Sequence, residues 1–119
     1  MDKTKKLLNE TFESSCSKTQ QYLNFHRTFK REFTQLMKPI CSEIDIHKPN
    51  HFDVSGFFKT NSGKTYYISL GDLRWDKHSL LYRTAKDFKD YSGGSNEYIS
   101  MDNIENLFSI ISNRESRGD

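Results

Sequence analysis

The sequence has few of the residues that form covalent or metal cross-links, and it has no long apolar run. Only two of its 119 residues are cysteines, Cys16 and Cys41, and they do not form the C-x-x-C pair of a zinc site. No apolar stretch approaches the roughly 20 residues of a membrane-spanning helix. The first residues also lack the apolar region of a signal peptide. We therefore expect a cytoplasmic chain with reduced thiols and no membrane partner.

Signatures of catalysis and of cofactor binding are also missing. The sequence contains no G-x-S-x-G, G-x-G-x-x-G or P-loop motif, so it lacks a nucleophile elbow and a phosphate-binding glycine loop. His47 and His51 are four residues apart, but Pro49 between them prevents both from lying on one helix face. We therefore predict no catalytic residues, no metal and no cofactor, and no enzymatic activity.

One pattern points to an enzyme. Asp72 followed by Asp87-Phe88-Lys89 has the outline of the D…(D/E)-x-K pattern of metal-dependent nucleases. If the strands around residues 75–80 pair closely, Asp72 lies opposite about Arg83, and Asp87 is then roughly 13 Å further along. Two carboxylates that share one cation must each lie within a few ångströms of it. A metal-dependent nuclease is therefore the third of three functional hypotheses.

The apolar residues that are present are largely aromatic, and the charges are unevenly distributed. The chain has nine Phe, six Tyr and one Trp, and its net charge is +2. Residues 18–38 carry five basic residues and one acidic residue, whereas residues 95–119 carry five acidic residues and two arginines. A basic first half with aromatic residues favours an anionic partner such as a nucleic acid.

Hydrophobic spacing predicts an α+β fold. Aromatic residues recur every three or four positions from Tyr22 to Phe33, which is the period of a helix that ends near Pro39. Alternating patterns then predict a three- or four-stranded antiparallel meander, with a turn at residues 60–65. Ser100 is a predicted N-cap for a C-terminal helix. We expect two layers, an N-terminal helix or helix pair, a single domain over 1–113 and a frayed polar tail over 114–119.

One face of the predicted sheet combines aromatic and basic residues. Pairing across residues 75–80 places six side chains on it: Tyr67, Ser69, Tyr82, Thr84, Lys86 and Phe88. Phe58 joins them, whereas Phe57, Ile68 and Leu81 face the core. Nucleic-acid bases stack on such rings and basic residues neutralise phosphates. The helix stripe must pack on the sheet too, and we expect it to cover most of these rings.

The leading hypothesis is a small non-enzymatic nucleic-acid-binding or accessory protein. Even with the sheet covered, the helix would present His26 and its basic neighbours to phosphates. Whether the ligand is single-stranded or double-stranded stays open. A small chain of this kind is also typical of phage-encoded or mobile-element-encoded factors. The predicted binding residues are Arg27, Lys30, Arg31, Tyr67, Arg83, Lys86, Phe88 and Lys89.

The alternative hypothesis is a protein-binding inhibitor or modulator of a larger host or defence enzyme. Large aromatic side chains often anchor such interfaces. Trp75 is the only tryptophan and lies in a predicted connection between strands, as either a core residue or an interface anchor. The candidate anchors are Trp75, Tyr91 and Tyr98.

Overall fold

The computed structural model describes residues 1–12 and 15–117. Its helices are α1 (Asp2–Leu8), α2 (Gln20–Met37) and α3 (Asn106–Arg117), with short 3-10 turns at Lys38–Ile40 and Met101–Asn103. Its strands are β1 (Cys41–Ile46), β2 (Val54–Thr60), β3 (Thr65–Leu70), β4 (Ser79–Asp87), β5 (Asp90–Gly93) and β6 (Glu97–Ser100). The predicted order of helix pair, antiparallel sheet and C-terminal helix is confirmed. No helix within the described residues is both long and apolar enough to cross a bilayer.

The two N-terminal helices are separate and pack together. In α2, Phe25, Phe29 and Phe33 are fully buried, because steps of four residues return to the same helix face. The ring centroids of Phe29 and Phe33 are 5.3 Å apart. Glu32 binds α1 by accepting hydrogen bonds from the backbone N–H and the hydroxyl of Thr4, both at 2.7 Å.

The sheet has more strands than the sequence predicts. β1 to β4 form the predicted antiparallel meander, and both β5 and β6 then pair with β4. Residues 90–93 have the composition of a loop, because serine and glycine favour turns. They form a strand because Gly93 brings the backbone against β4: a Cβ atom at Gly93 would lie only 1.9 Å from the carbonyl oxygen of Thr84.

All three helices contribute to one core on one face of the sheet. Their buried apolar residues include Leu8 of α1, Phe33 of α2 and Leu107 of α3, and these form one cluster with the sheet. The ring centroids of Phe33 and Phe58 are 6.0 Å apart. The sheet residues in this core cluster are Ile46, Val54, Phe58, Tyr66, Ile68, Leu70, Leu80, Tyr82 and Ile99.

The predicted assignment of residues to the two faces was wrong at several positions. Tyr67 pairs with Arg83 and with Phe57, whereas Tyr82 pairs with Ile68 on the core face. Because side chains alternate along a strand, a difference of one residue in pairing moves a side chain to the other face. Phe58 and Tyr82 are therefore core residues, and Phe57 and Leu81 face away from the helices. The error has a physical cause: the sequence pattern is apolar on both faces here.

The C-terminal helix extends further along the chain than predicted. Ser100 is an N-cap, as predicted, and its hydroxyl accepts from the N–H of Asp102 in the 3-10 turn before α3. The helix α3 continues to Arg117, so residues 114–117 of the expected frayed tail are helical. Arg114 donates to Glu97 at 2.6 Å and thereby ties α3 to β6. The last two residues of that tail, 118–119, lie outside the described residues.

Candidate functional site

The side of the sheet away from the helices is called here the open face. Pairs directly opposite each other in an antiparallel sheet share a face, and the register places Phe57, Tyr67 and Arg83 in one such row. None of these residues belongs to the core that the helices cover. The residues of the open face from β2, β3, β4 and β6 include Ser55, Phe57, Lys59, Thr65, Tyr67, Ser69, Leu81, Arg83, Ala85 and Tyr98.

Phe57 is the centre of an aromatic cluster on the open face. Its ring centroid lies 5.3 Å from that of Tyr67, 5.7 Å from Phe88 and 5.4 Å from Tyr91. These four residues are called the Phe57 cluster. Phe57 itself is fully buried, but Tyr91 is 51% exposed and Tyr67 is half-buried. The cluster therefore offers aromatic surface to a ligand.

The β4–β5 hairpin places two of these rings over the sheet. Phe88 lies in its turn and Tyr91 in β5, so both reach back across the open face to Phe57. Lys89, in the same turn, has a φ of 66°, which lies in the left-handed region that tight hairpin turns require. The close approach of Gly93 to β4 holds the other end of the hairpin. The hairpin therefore covers Phe57 and leaves Tyr91 accessible.

Cations lie beside these rings. The guanidinium carbon of Arg83 is 5.1 Å from the ring centroid of Tyr67, and Nζ of Lys59 is 5.7 Å from that of Phe88. Arg83 also donates to Oδ1 of Asn96 at 3.2 Å, and its buried Nε has no hydrogen-bond partner among the described residues. Such cation–π contacts hold the positive charges at the edge of the aromatic surface.

Carboxylates limit the positive character of the open face. Glu43 and Asp45 of β1 stand opposite Lys59 and Phe57, so their side chains lie on the same side of the sheet. Asp87 lies 3.9 Å from Nζ of Lys59. The face is therefore mixed in charge, with its cations concentrated around the rings.

A cavity of about 710 Å³ opens at one end of the Phe57 cluster. It lies between the N-terminal half of α2, the β1–β2 connection (residues 47–53) and the rings of Tyr67 and Tyr91. Its lining combines aromatic, imidazole and cationic groups with one carboxylate. The lining residues are Lys18, His26, His47, Lys48, Pro49, Asn50, His51, Asp53, Ser55, Tyr67 and Tyr91.

Two histidines shape the wall of this cavity. His26 is buried, and its Nε2 is hydrogen-bonded to the carbonyl oxygen of His47. Burial lowers the pKa of His26, with a smaller opposing contribution from this hydrogen bond. Nδ1 of His47 lies 3.2 Å from the hydroxyl of Ser55, and its ring packs 5.5 Å from Phe57. The pair therefore attaches the β1–β2 connection to both α2 and the sheet.

No protein-family model, curated protein or solved structure matches this chain. Its function is therefore inferred from the chemistry of its own surfaces.

The predicted sheet residues do not all lie together. Tyr67, Arg83 and Phe88 lie on the open face, and Lys89 is exposed at the tip of the hairpin. Lys86 is on the other side of the sheet, where it lines a depression with Glu115 of α3. Lys86 was predicted to lie beside Tyr67, and this was wrong. As for Tyr82, the strand pairing differs from the predicted pairing by one residue, which moves the side chain to the other face.

The predicted helix residues form a separate surface. Arg27, Lys30 and Arg31 are exposed on α2, and α2 packs on the face opposite to the Phe57 cluster. His26 was expected to point outward with them, but it is buried against the β1–β2 connection. The helix cations and the open face are therefore two separate surfaces.

The three aromatic residues proposed as protein-interface anchors are all exposed. Trp75 is 67% exposed, Tyr98 is 64% exposed and Tyr91 is 51% exposed. Trp75 is therefore not a core residue. Its ring lies 4.2 Å from the guanidinium carbon of Arg74, which also lies 3.8 Å from the ring centroid of Phe52.

The two carboxylates of the nuclease-like pattern are far apart. Leu70 pairs with Leu80 at the end of the sheet next to Asp72, and Asp87 is seven residues further along β4, roughly 23 Å at strand rise. Asp72 instead pairs with Arg74 at 2.7 Å, and hydrogen bonds from Arg74 lower the pKa of Asp72. Within the described ranges, no group of three or more His, Cys, Asp or Glu residues could hold a metal ion.

Sequence reasoning missed Phe57 and the β1–β2 connection as parts of a site. The adjacent pair Phe57–Phe58 carried the signal for the first, because neighbouring residues in a strand point to opposite faces and one ring must leave the core. For the second, the signal was the density of polar residues between His47 and Asp53. Only the folded chain places these residues beside Tyr67 and Tyr91.

Proposed function

We propose that this protein is a non-enzymatic, cytoplasmic nucleic-acid-binding or accessory protein that holds a single strand on its open face. The observation that supports this most is the Phe57 cluster, which no described helix covers and which Arg83 and Lys59 flank. Each base that stacks on an aromatic side chain contributes about 1–3 kcal/mol, without requiring a particular sequence.

A single strand fits this face better than a duplex. The bases of a duplex are already stacked on each other inside the helix, so they are not free to stack on Tyr67 or Tyr91. The exposed cations of α2 are on the side opposite to the Phe57 cluster, where they can meet phosphates. Duplex binding would therefore depend on Arg27, Lys30 and Arg31.

The mixed charge of the face leads to a specific expectation for the effect of salt. Lys59 and Arg83 lie against the rings, Lys18 and Lys48 line the cavity beside them, and Asp53 and the β1 carboxylates oppose these cations. If two or three phosphates are neutralised, the logarithm of the binding constant should fall with the logarithm of salt concentration with a slope of about −1.5 to −2.

Fluorescence anisotropy of a labelled 12-nucleotide single strand and a labelled duplex, at several salt concentrations, tests the proposal. Tyr91→Ala removes an exposed stacking ring and should weaken single-strand binding by about fivefold to a hundredfold. Trp75→Ala removes an exposed ring that is not part of the Phe57 cluster and is the matched control. Duplex preference that is lost in Arg27→Ala, or no binding at low salt, would refute single-strand binding on the open face.

A second candidate is binding to a larger protein as an inhibitor or modulator. It is favoured by the exposure of Trp75 and Tyr98, since large exposed aromatic residues are enriched in the central contacts of interfaces. Tyr98 pairs with Leu81 on the open face, which extends the apolar surface there. This function predicts a partner whose binding depends weakly on salt and is lost in Trp75→Ala, while Tyr91→Ala has a smaller effect.

The nuclease hypothesis is tested in the same preparation. Incubation of the labelled strands with magnesium should leave them intact, because Asp72 follows β3 near the start of β4, whereas Asp87 is the last residue of β4. Magnesium-dependent cleavage that disappears in Asp87→Ala would show that the protein is an enzyme.

A further inference from the structure

The cavity beside the Phe57 cluster has the size and lining of a small-molecule site. Its volume of about 710 Å³ falls within the range of about 300–1,000 Å³ that is usual for ligand pockets. Its lining combines the rings of Tyr67 and Tyr91 with charged and hydrogen-bonding groups. A ligand that fits it should therefore combine a flat aromatic part with polar and anionic parts.

The aromatic wall determines how a base could bind. The ring centroids of Tyr67 and Tyr91 are 5.2 Å apart, with an angle of 79° between the ring planes. That spacing is an edge-to-face contact and leaves no room for a base between the two rings. A base would therefore stack against one of these rings from within the cavity.

The polar wall offers charges of both signs. Lys18 and Lys48 line the cavity and are exposed, and neither forms an ion pair in the part of the chain that the structure describes. An ammonium group without a local carboxylate partner is suited to a phosphate. Asp53 is the one carboxylate of the lining, and it can accept hydrogen bonds from sugar hydroxyls but not from phosphate.

The histidines of the lining differ in which ring nitrogens already form hydrogen bonds. Nε2 of His26 is already hydrogen-bonded to the carbonyl oxygen of His47, so that nitrogen links α2 to the β1–β2 connection. His47 uses Nδ1 at Ser55, and its Nε2 has no hydrogen-bond partner in residues 1–12 and 15–117. His51 is exposed, with its Nε2 3.3 Å from Nδ2 of Asn50. His47 can therefore contribute one further hydrogen bond to a ligand.

We infer that this cavity binds one phosphorylated nucleotide unit, with its base against Tyr67 or Tyr91 and its phosphate at Lys48 and Lys18. The inference rests on the proposed function and deepens it, because the nucleotide would be one unit of the strand bound on the open face. It also predicts that a free mononucleotide binds without the rest of the strand.

The test is a titration of the full chain with adenosine monophosphate, adenosine and inorganic phosphate, followed by calorimetry and by amide chemical shifts. Adenosine monophosphate should bind at least tenfold more tightly than either part alone, with shift changes at residues 47–53. Lys48→Ala should weaken adenosine monophosphate about tenfold, the effect of one charged hydrogen bond, and should leave adenosine unchanged. Lys6→Ala, in α1, removes the same charge from an exposed lysine that does not line the cavity and should have no effect.

Binding of the 12-nucleotide strand in the same variants separates this inference from the proposed function. If the strand binds and adenosine monophosphate does not, the nucleotide site is refuted and the open face stands. If the mononucleotide binds and the strand does not, the strand-binding function is refuted and the cavity is a mononucleotide site. Equal affinity for adenosine monophosphate and inorganic phosphate, or equal loss in Lys48→Ala and Lys6→Ala, would overturn the inference. Lys48 and Lys6 are both exposed, so neither substitution should unfold the protein.

Discussion

Substitution of Gly93 by alanine tests whether the β4–β5 hairpin is held over the open face by close backbone packing. The added Cβ atom would lie 1.9 Å from the carbonyl oxygen of Thr84 and 2.8 Å from Cα of Ala85. Both are backbone atoms of β4, so no rotation of a side chain can relieve the contact. β5 must therefore move away from β4, and Tyr91 moves with it.

The size of the effect follows from what the hairpin covers. Phe57 is fully buried although it lies outside the helix-covered core, and full burial of such a side chain contributes about 1.5–3 kcal/mol. The hydrogen bond from the N–H of Gly94 to the carbonyl oxygen of Thr84 contributes about 1 kcal/mol more. Gly93→Ala should therefore lower the free energy of unfolding by about 2–4 kcal/mol.

Urea unfolding followed by circular dichroism measures this difference. For a protein of this size, the free energy of unfolding falls by about 2 kcal/mol per molar urea, so the urea midpoint should fall by about 1–2 M. Gly94→Ala is the matched control, because its Cβ would meet the side-chain hydroxyl of Thr84 at 2.4 Å, and that side chain can rotate away. Gly94→Ala should lower the free energy of unfolding by about 1 kcal/mol, because rotation of Thr84 breaks its hydrogen bond with the N–H of Gly94. A Gly93→Ala midpoint equal to that of the wild type would refute the packing argument.

Three further predictions concern the core side of the sheet. Burial, with a smaller contribution from Glu115, raises the pKa of Cys41 to about 12. At pH 8, iodoacetamide should therefore modify the exposed Cys16 at least a hundredfold faster than it modifies Cys41. Peptide mass spectrometry measures both rates. Arg114→Ala should lower the free energy of unfolding by about 1–2 kcal/mol in urea, because it removes a charged hydrogen bond to Glu97 that solvent partly weakens; an unchanged midpoint would mean that α3 is held by its apolar face alone. Burial lowers the pKa of His26, so this imidazole takes up a proton at higher pH in the unfolded chain than in the folded protein. The free energy of unfolding should therefore fall as the pH drops from about 6.5 through the lower folded pKa. His26→Gln should reduce that fall between pH 7 and 5. An equal loss of stability in wild type and His26→Gln would assign the acid sensitivity to other groups.

Much of the fold could be predicted because its signals are local. The four-residue spacing of Phe25, Phe29 and Phe33 predicts α2, since a helix brings those positions to one side whatever surrounds it. The run of β-branched and aromatic residues from Thr65 to Leu70 predicts β3. Gly63, with a φ of 95°, makes the β2–β3 turn that the Asn-Ser-Gly sequence predicts. Such signals depend on neighbours along the chain and are present before any tertiary contact forms.

The assignment of residues to the two faces of the sheet could not be predicted in this way. Phe57 and Phe58, and likewise Tyr66 and Tyr67, are adjacent residues of similar hydrophobicity, so alternation alone does not show which of each pair enters the core. The pairing of Leu70 with Leu80 resolves this, and that pairing depends on how the connection between β3 and β4 packs. Phe58 and Tyr66 thereby meet the helices, and Phe57 and Tyr67 form the open face.

The candidate site depends on contacts between distant parts of the chain. The amino-acid order is sufficient to predict helices, strands and the absence of a catalytic motif, because these are properties of short segments. The cavity requires His47 and Lys48 to lie beside Tyr67 and Tyr91, and the hydrogen bond between His26 and His47 helps to place them there. No short segment contains those contacts, and only the packing of α2, the β1–β2 connection and the β4–β5 hairpin on one sheet brings the groups together.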